Sequence, residues 1–185
     1  MKTSFIKSIL LWMCTALLVI SFLSCNTNND TYWFEDPPGV FHTNDVERAQ
    51  NEIPFIILLP TYLPDDIDPF PYIEGPVGGI NSENIITQIR VQYHDKSRAN
   101  YRIFIDESNE EVTMLPNPDA EYAYISVNGV RLLEHESVSV SFSQDGIENI
   151  RGLLYSWNQN GIHYEVCINR YNSGIARRIV ESMVT

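Results

Sequence analysis

The chain has 185 residues, with 24 acids against 12 lysines and arginines, a net charge of −12 and a hydrophobic content of 44%. Such a charge is repelled by phosphate backbones and anionic lipid heads, which argues against nucleic acid as a partner and against electrostatic docking on a membrane. The apolar share suffices for one ordinary domain with a core of its own.

The first residues read as a targeting segment. Lys2 and Lys7 form a positive n-region, and residues 9–22 form an apolar h-region of 14 residues. That length suits a signal peptide and falls short of the roughly 20 residues of a membrane span. Phe22-Leu23-Ser24-Cys25 resembles a bacterial lipobox, in which small residues precede a cysteine. The resemblance implies that Cys25 receives a diacylglycerol thioether and becomes the new N-terminus. Phe22 and Leu23 depart from the commonest residues at their positions. An ordinary cleaved signal or an uncleaved anchor is the alternative, and each still places the domain outside the cytoplasm.

The cysteine count agrees. Cys14 lies in the h-region and leaves with it, so a lipidated Cys25 leaves Cys167 alone. Without lipidation, a Cys25–Cys167 bridge is the other reading. Removing residues 1–24 also takes the net charge from −12 to −14, because the leader carries two lysines and no acid. A diacylglyceryl group supplies the two chains that stable anchoring needs. In a two-membrane cell, Asn26 rather than aspartate after the cysteine leaves the outer membrane open as destination.

Residues 25–43 are rich in Asn, Asp, Thr and Pro and read as a polar tether, with Trp33, Phe34 and Phe41 packing on the domain edge. The single domain is expected over residues 44–185. "NDVERAQNE" reads as a short helix capped by Asn44, with Glu47 placed for a capping box. "IPFIILLPTYLPDD" reads as a short buried strand between prolines, and residues 64–84 as a long loop.

Period two then takes over. Ile85, Thr87, Ile89, Val91 and Tyr93 fall on one face, and Tyr101, Ile103 and Ile105 repeat the alternation after the turn "DKSRAN". "DESNEE" and "LPNPDAE" read as exposed loops, with Glu107, Glu110 and Glu111 solvated. Asn128-Gly129 between two apolar runs is a strong hairpin signal, since both central residues of a type I′ turn need positive φ. Asp145-Gly146 marks a second turn. A third hairpin follows, in which Leu153, Tyr155 and Trp157 share a face, as do Ile162, Tyr164, Val166 and Ile168. In the tail, Ile175, Ile179 and Met183 recur every four residues, which predicts an amphipathic helix starting near Ser173. The expected fold is α+β: six or seven antiparallel strands with the C-terminal helix packed on one face.

Taken in order, "IPFIILLPTYLP", "VQYH", "VNGV", "YSWNQNGIHYEV" and "IVESM" resemble the bacterial domain of unknown function 4367 over about residues 47–184. That family occurs outside the membrane in small lipoproteins and in proteins of anti-sigma or sensor character. Ser173-Gly174 stands where the family commonly opens the last helix with acids. The family has no established activity, so the resemblance implies no catalytic residue. Through its wider likeness to periplasmic carriers it allows an apolar ligand between sheet and helix, an analogy of fold alone.

The chain contains no G-x-S-x-G, H-E-x-x-H, phosphate-binding glycine loop or C-x-x-C. His163 and Cys167 share a strand face but stand ~13.6 Å apart, too far for one zinc ion. Asp65, Asp66 and Asp68 lack the glycine of a calcium loop and read as a solvated turn. No metal and no cofactor are expected. Trp157, Tyr155 and Tyr164 read as core, or as a face stacking on a sugar or lipid. The expected function is a lipid-anchored extracytoplasmic binding or sensing domain. Its partners are the membrane through Cys25 and an envelope protein or apolar ligand. A carrier of acyl chains and a hydrolase are the rivals.

Overall fold

The computed structural model describes residues 31–36, 39–77, 87–97, 100–109, 122–143 and 146–184, the side chains of 137–149 excepted. Two alternation-rich hairpins make its centre. β4 (Gln88–His94) pairs antiparallel with β5 (Tyr101–Ser108), and β8 (Gly146–Gln159) with β9 (Ile162–Asn169). β5 and β9 join the two, Ile105 opposite Val166. β6 (Tyr122–Val127) and β7 (Val130–Ser143) extend the sheet on one side. β1 (Trp33–Glu35), β2 (Phe41–Thr43) and β3 (Tyr72–Gly75) extend it on the other. The result is one antiparallel sheet in the order β1-β2-β3-β4-β5-β9-β8-β7-β6.

The fold is thus the expected antiparallel sheet with a C-terminal helix, but among the described residues it has nine strands and not six or seven. The additional strands are the three- and four-residue β1, β2 and β3, too short to carry a period-two signal. They also correct two boundaries. Residues 33–35 and 41–43, expected within the tether, are the first two strands at one end of the sheet, and Phe41 is buried. Residues 72–75 form a strand inside the expected loop. Gly75 is required there, because a Cβ would stand 2.9 Å from the Phe41 ring. The tight turns follow their sequence signals: Asn128-Gly129 and Asn160-Gly161 all take positive φ. Asp145 lies outside the described residues.

One sheet face is covered. Ile73, Ile89, Val91, Ile103, Ile105, Val166 and Ile168 on it are fully buried. α1 (Val46–Glu52) and α2 (Ser173–Glu181) contribute Ala49, Ala176, Ile179 and Val180 to the same core, and α2 packs on β8. The α1 cap is Asp45, whose carboxylate accepts from the Arg48 N–H, and not Asn44, which accepts from the Tyr32 N–H. The one-residue shift removes Glu47 from the capping-box position. A bulge at Tyr93/His94 pairs Tyr101 with His94 and so moves Tyr101 off the face of Ile103. Its ring lies instead against Tyr72, His94 and Phe104 on the open face.

Candidate functional site

The segment expected as a buried strand between prolines is extended but belongs to no sheet. It is a strap over the core. Ile53, Phe55 and Ile57 are buried, while Ile56 between them is 79% exposed. An extended segment without a ladder must satisfy its backbone groups elsewhere. Here side chains do so. The Gln50 amide of α1 donates to the Phe55 carbonyl and accepts from the Ile57 N–H. The Leu58 N–H donates to both Glu107 carboxyl oxygens, at 3.0 and 3.1 Å. At the far end, Tyr62 N–H and the Thr61 hydroxyl donate to Ser182 just past α2, and Arg178 lies over the Tyr62 ring.

Glu107 is therefore not the solvated loop residue expected from "DESNEE". β5 runs three residues further than the apolar alternation indicates, and Glu107 is fully buried on the core face. Continuing Tyr101-Ile103-Ile105 by one step of two would have found it. Burial pushes its pKa up to about 8, and the Leu58 hydrogen bond only partly opposes this. Glu110 and Glu111 lie outside the described residues.

Glu107 begins a row across three strands. Tyr164 stands opposite it, and Trp157 opposite Tyr164. At about 4.8 Å per strand, Trp157 is about 10 Å from Glu107. The Trp157 and Tyr164 rings stack at 5.0 Å, and Tyr155 sits two residues along β8 on the same face. The structure thus brings together the three aromatic residues singled out from sequence, as core: Trp157 is 2% exposed and Tyr155 0%. Burial raises the Tyr164 pKa to about 12, with the Glu107 charge adding to it. The Trp157 Nε1 has no hydrogen-bond partner among the described residues.

The other candidates disperse. His163 contacts the Asn158 side-chain oxygen at 2.9 Å on the open face, and burial lowers its pKa. Asp66 accepts from the Tyr171 hydroxyl and Asp68 from the Phe70 N–H. Among the described residues no three potential metal ligands gather. Cys25 lies outside the described residues.

An open cleft of about 690 Å3 is lined by Tyr122, Glu134, His135, Glu136, Leu153 and Ser173. It holds an acid, a histidine and hydroxyls without joining them. Successive β7 residues point to opposite faces. Glu134 and Glu136 face Tyr155 and Leu153, while His135 pairs with Leu154 on the other side. Glu134 is engaged by Arg177 at 2.9 and 3.1 Å, which holds its carboxyl below the usual range.

No family model, curated protein or solved structure matches the chain.

Proposed function

We propose that this chain is a lipid-anchored extracytoplasmic domain that binds or senses a partner and performs no catalysis, held to the membrane through Cys25. The observation that carries the reading is the run from Leu11 to Asp30, in which an apolar segment meets Cys25 and turns at once to "NTNND". The likeness to the domain of unknown function 4367 points the same way. Two structural features support the non-catalytic part. The aromatic row under the strap is packed core, and the cleft beside β7 separates its histidine from its acids by strand alternation.

The test is labelling with a fatty acid, followed by fractionation. Wild type should take up label and follow the membrane, and Cys25→Ala should do neither. An unlabelled wild type removes the anchor. A catalytic role would be revived by turnover of an ester or glycoside panel that His135→Ala abolishes.

A carrier of apolar ligands is the second reading. It is favoured by the unpartnered Trp157 Nε1 on a row roofed by a strap that side chains, and no ladder, hold in place. Such a carrier has to open the packed core, in which Tyr155, Trp157, Ile179 and Met183 are buried.

A further inference from the structure

The strap is tied down at both ends and lightly between them. It leaves α1 at Ile53, and its far end is fixed to Ser182 through Thr61 and Tyr62. Pro54 and Pro60 bound the stretch between and offer no N–H. Among the described residues, the backbone of that stretch bonds only to the Gln50 and Glu107 side chains. Ile56 in its middle points to water.

The Glu107 carboxyl beneath it is buried and poorly served. Both oxygens converge on the single Leu58 N–H, although an ionised carboxylate has about four acceptor sites. What faces it is neutral. Ile89 stands opposite on β4 and Tyr164 on β9, with Trp157 beyond on β8. The Tyr93 and Tyr164 phenols, which feel its charge, are both held above their ordinary range. Residues 53–63 of the strap carry no charged side chain. The cations of the two helices are turned elsewhere: Arg48 lies over Trp33, Arg178 over Tyr62, and Arg177 pairs with Glu134. Their acids, Glu47, Glu52 and Glu181, are exposed.

We infer that Glu107 is a pH latch on the strap: as an acid it lies dry beneath Leu58, and on ionising it draws water in by lifting residues 54–60 while the sheet stays folded. The reason lies in what each motion breaks. Hydrating the carboxylate through the sheet would part β5 from β4 or β9 and break a ladder. Lifting the strap breaks the bonds to Gln50 and Glu107 and uncovers Phe55 and Ile57. Ionisation strengthens the bond from Leu58 but leaves the other acceptor sites dry, and the desolvation of a charge outweighs one N–H. The carboxyl itself records that balance, since burial holds it up at about 8 in spite of the Leu58 bond. Opening therefore becomes up to tenfold easier for each pH unit gained between about 4.5 and 8, and no easier above that. The core then opens at the Glu107 end of the aromatic row, so apolar surface appears as pH rises. The latch does not depend on the anchor at Cys25.

Hydrogen exchange of the full chain in detergent from pH 6 to 9, corrected for the intrinsic rate at each pH, tests the latch. Ile57 is the reporter, because its N–H bonds to Gln50 and not to Glu107. Its protection should fall about a hundredfold over that range, most of it below pH 8. At every pH it should stay at least about tenfold below that of Val166, which lies in the ladders between β5 and β8 and opens only with the sheet. In Glu107→Gln, Ile57 protection should be flat across the range. A wild-type Ile57 whose protection does not move with pH overturns the proposal. So does an Ile57 protected as well as Val166, which marks unfolding of the whole sheet, or a Glu107→Gln curve that follows wild type. The comparison of the two amides within wild type decides the matter even where the variant fails to fold.

Discussion

The strap and α2 cover the same sheet face and are held by opposite means. α2 makes its own backbone bonds, is capped by the Asn172 side chain, and presents Ala176, Ile179 and Val180 in helical spacing. The strap makes no ladder of its own. Its attachments run through side chains outside it: Gln50 of the preceding helix, and Glu107 and Ser182 far off in sequence. A regular element thus carries its register locally, whereas an irregular one borrows it and inherits the chemistry of its lenders. One lender here is a buried carboxyl.

The largest expected effect tests how far the two covers are equivalent. Ending the chain at Asn172 removes α2 and bares the sheet where Ile179, Val180 and Met183 lie. The remainder should lose its cooperative melt and bind a hydrophobic dye, since a large bare apolar face favours aggregation. A monomer that melts as before would show that the strap alone covers the core.

Trp157→Ala strikes the aromatic row itself. It should destabilise the protein by about 3–5 kcal/mol in a denaturant titration, as expected of a large buried aromatic side chain. A change below about 1 kcal/mol together with loss of a ligand would make Trp157 a binding residue, in favour of the carrier.

Glu107 separates the covers by pH. Its carboxyl titrates near 8 in the fold and near 4.5 when exposed, so the folded state prefers the protonated form. The stabilisation it contributes is complete below about pH 4.5, declines as pH rises toward 8, and is gone above that. The decline is on the order of 1.4 kcal/mol per pH unit at its steepest. Glu107→Gln keeps an acceptor for the Leu58 N–H and removes the titration. The stability of the variant relative to wild type should therefore grow from pH 5 to 8 and then level off. Parallel curves for the two proteins would show that burial does not control this group.

Gln50→Ala should cost about 1–3 kcal/mol, because it orphans the buried Ile57 N–H and Phe55 carbonyl. Hydrogen exchange should quicken at Ile57 and stay unchanged at Ala176, whose bond lies within its own helix end. The smallest effect belongs to α2. Arg177→Ala removes an ion pair with Glu134 whose arginine is exposed, and it should change stability by about 1 kcal/mol or less.

The sequence by itself determined what depends on neighbours along the chain. Alternation from Ile89 to Tyr93 and from Ile162 to Ile168 marked central strands, because a half-buried strand writes its burial every second residue. Asn128-Gly129 marked a turn, because few other residues accept two positive φ angles in succession. Ile175, Ile179 and Met183 marked the closing helix. Tertiary structure decided the rest. "IPFIILLP" has the composition of a strand, and only the absence of a neighbouring strand made it a strap. Glu107 looked solvated until β5 was carried one more period under that strap. Tyr101 shared a face with Ile103 until the bulge turned it away. Trp33 and Phe41 lay in polar surroundings along the chain, yet they stack across β1 and β2 at 4.8 Å. In each case the deciding partner lies far off in sequence or out of step with the local period, and no local pattern records a contact that the chain makes only when it closes on itself.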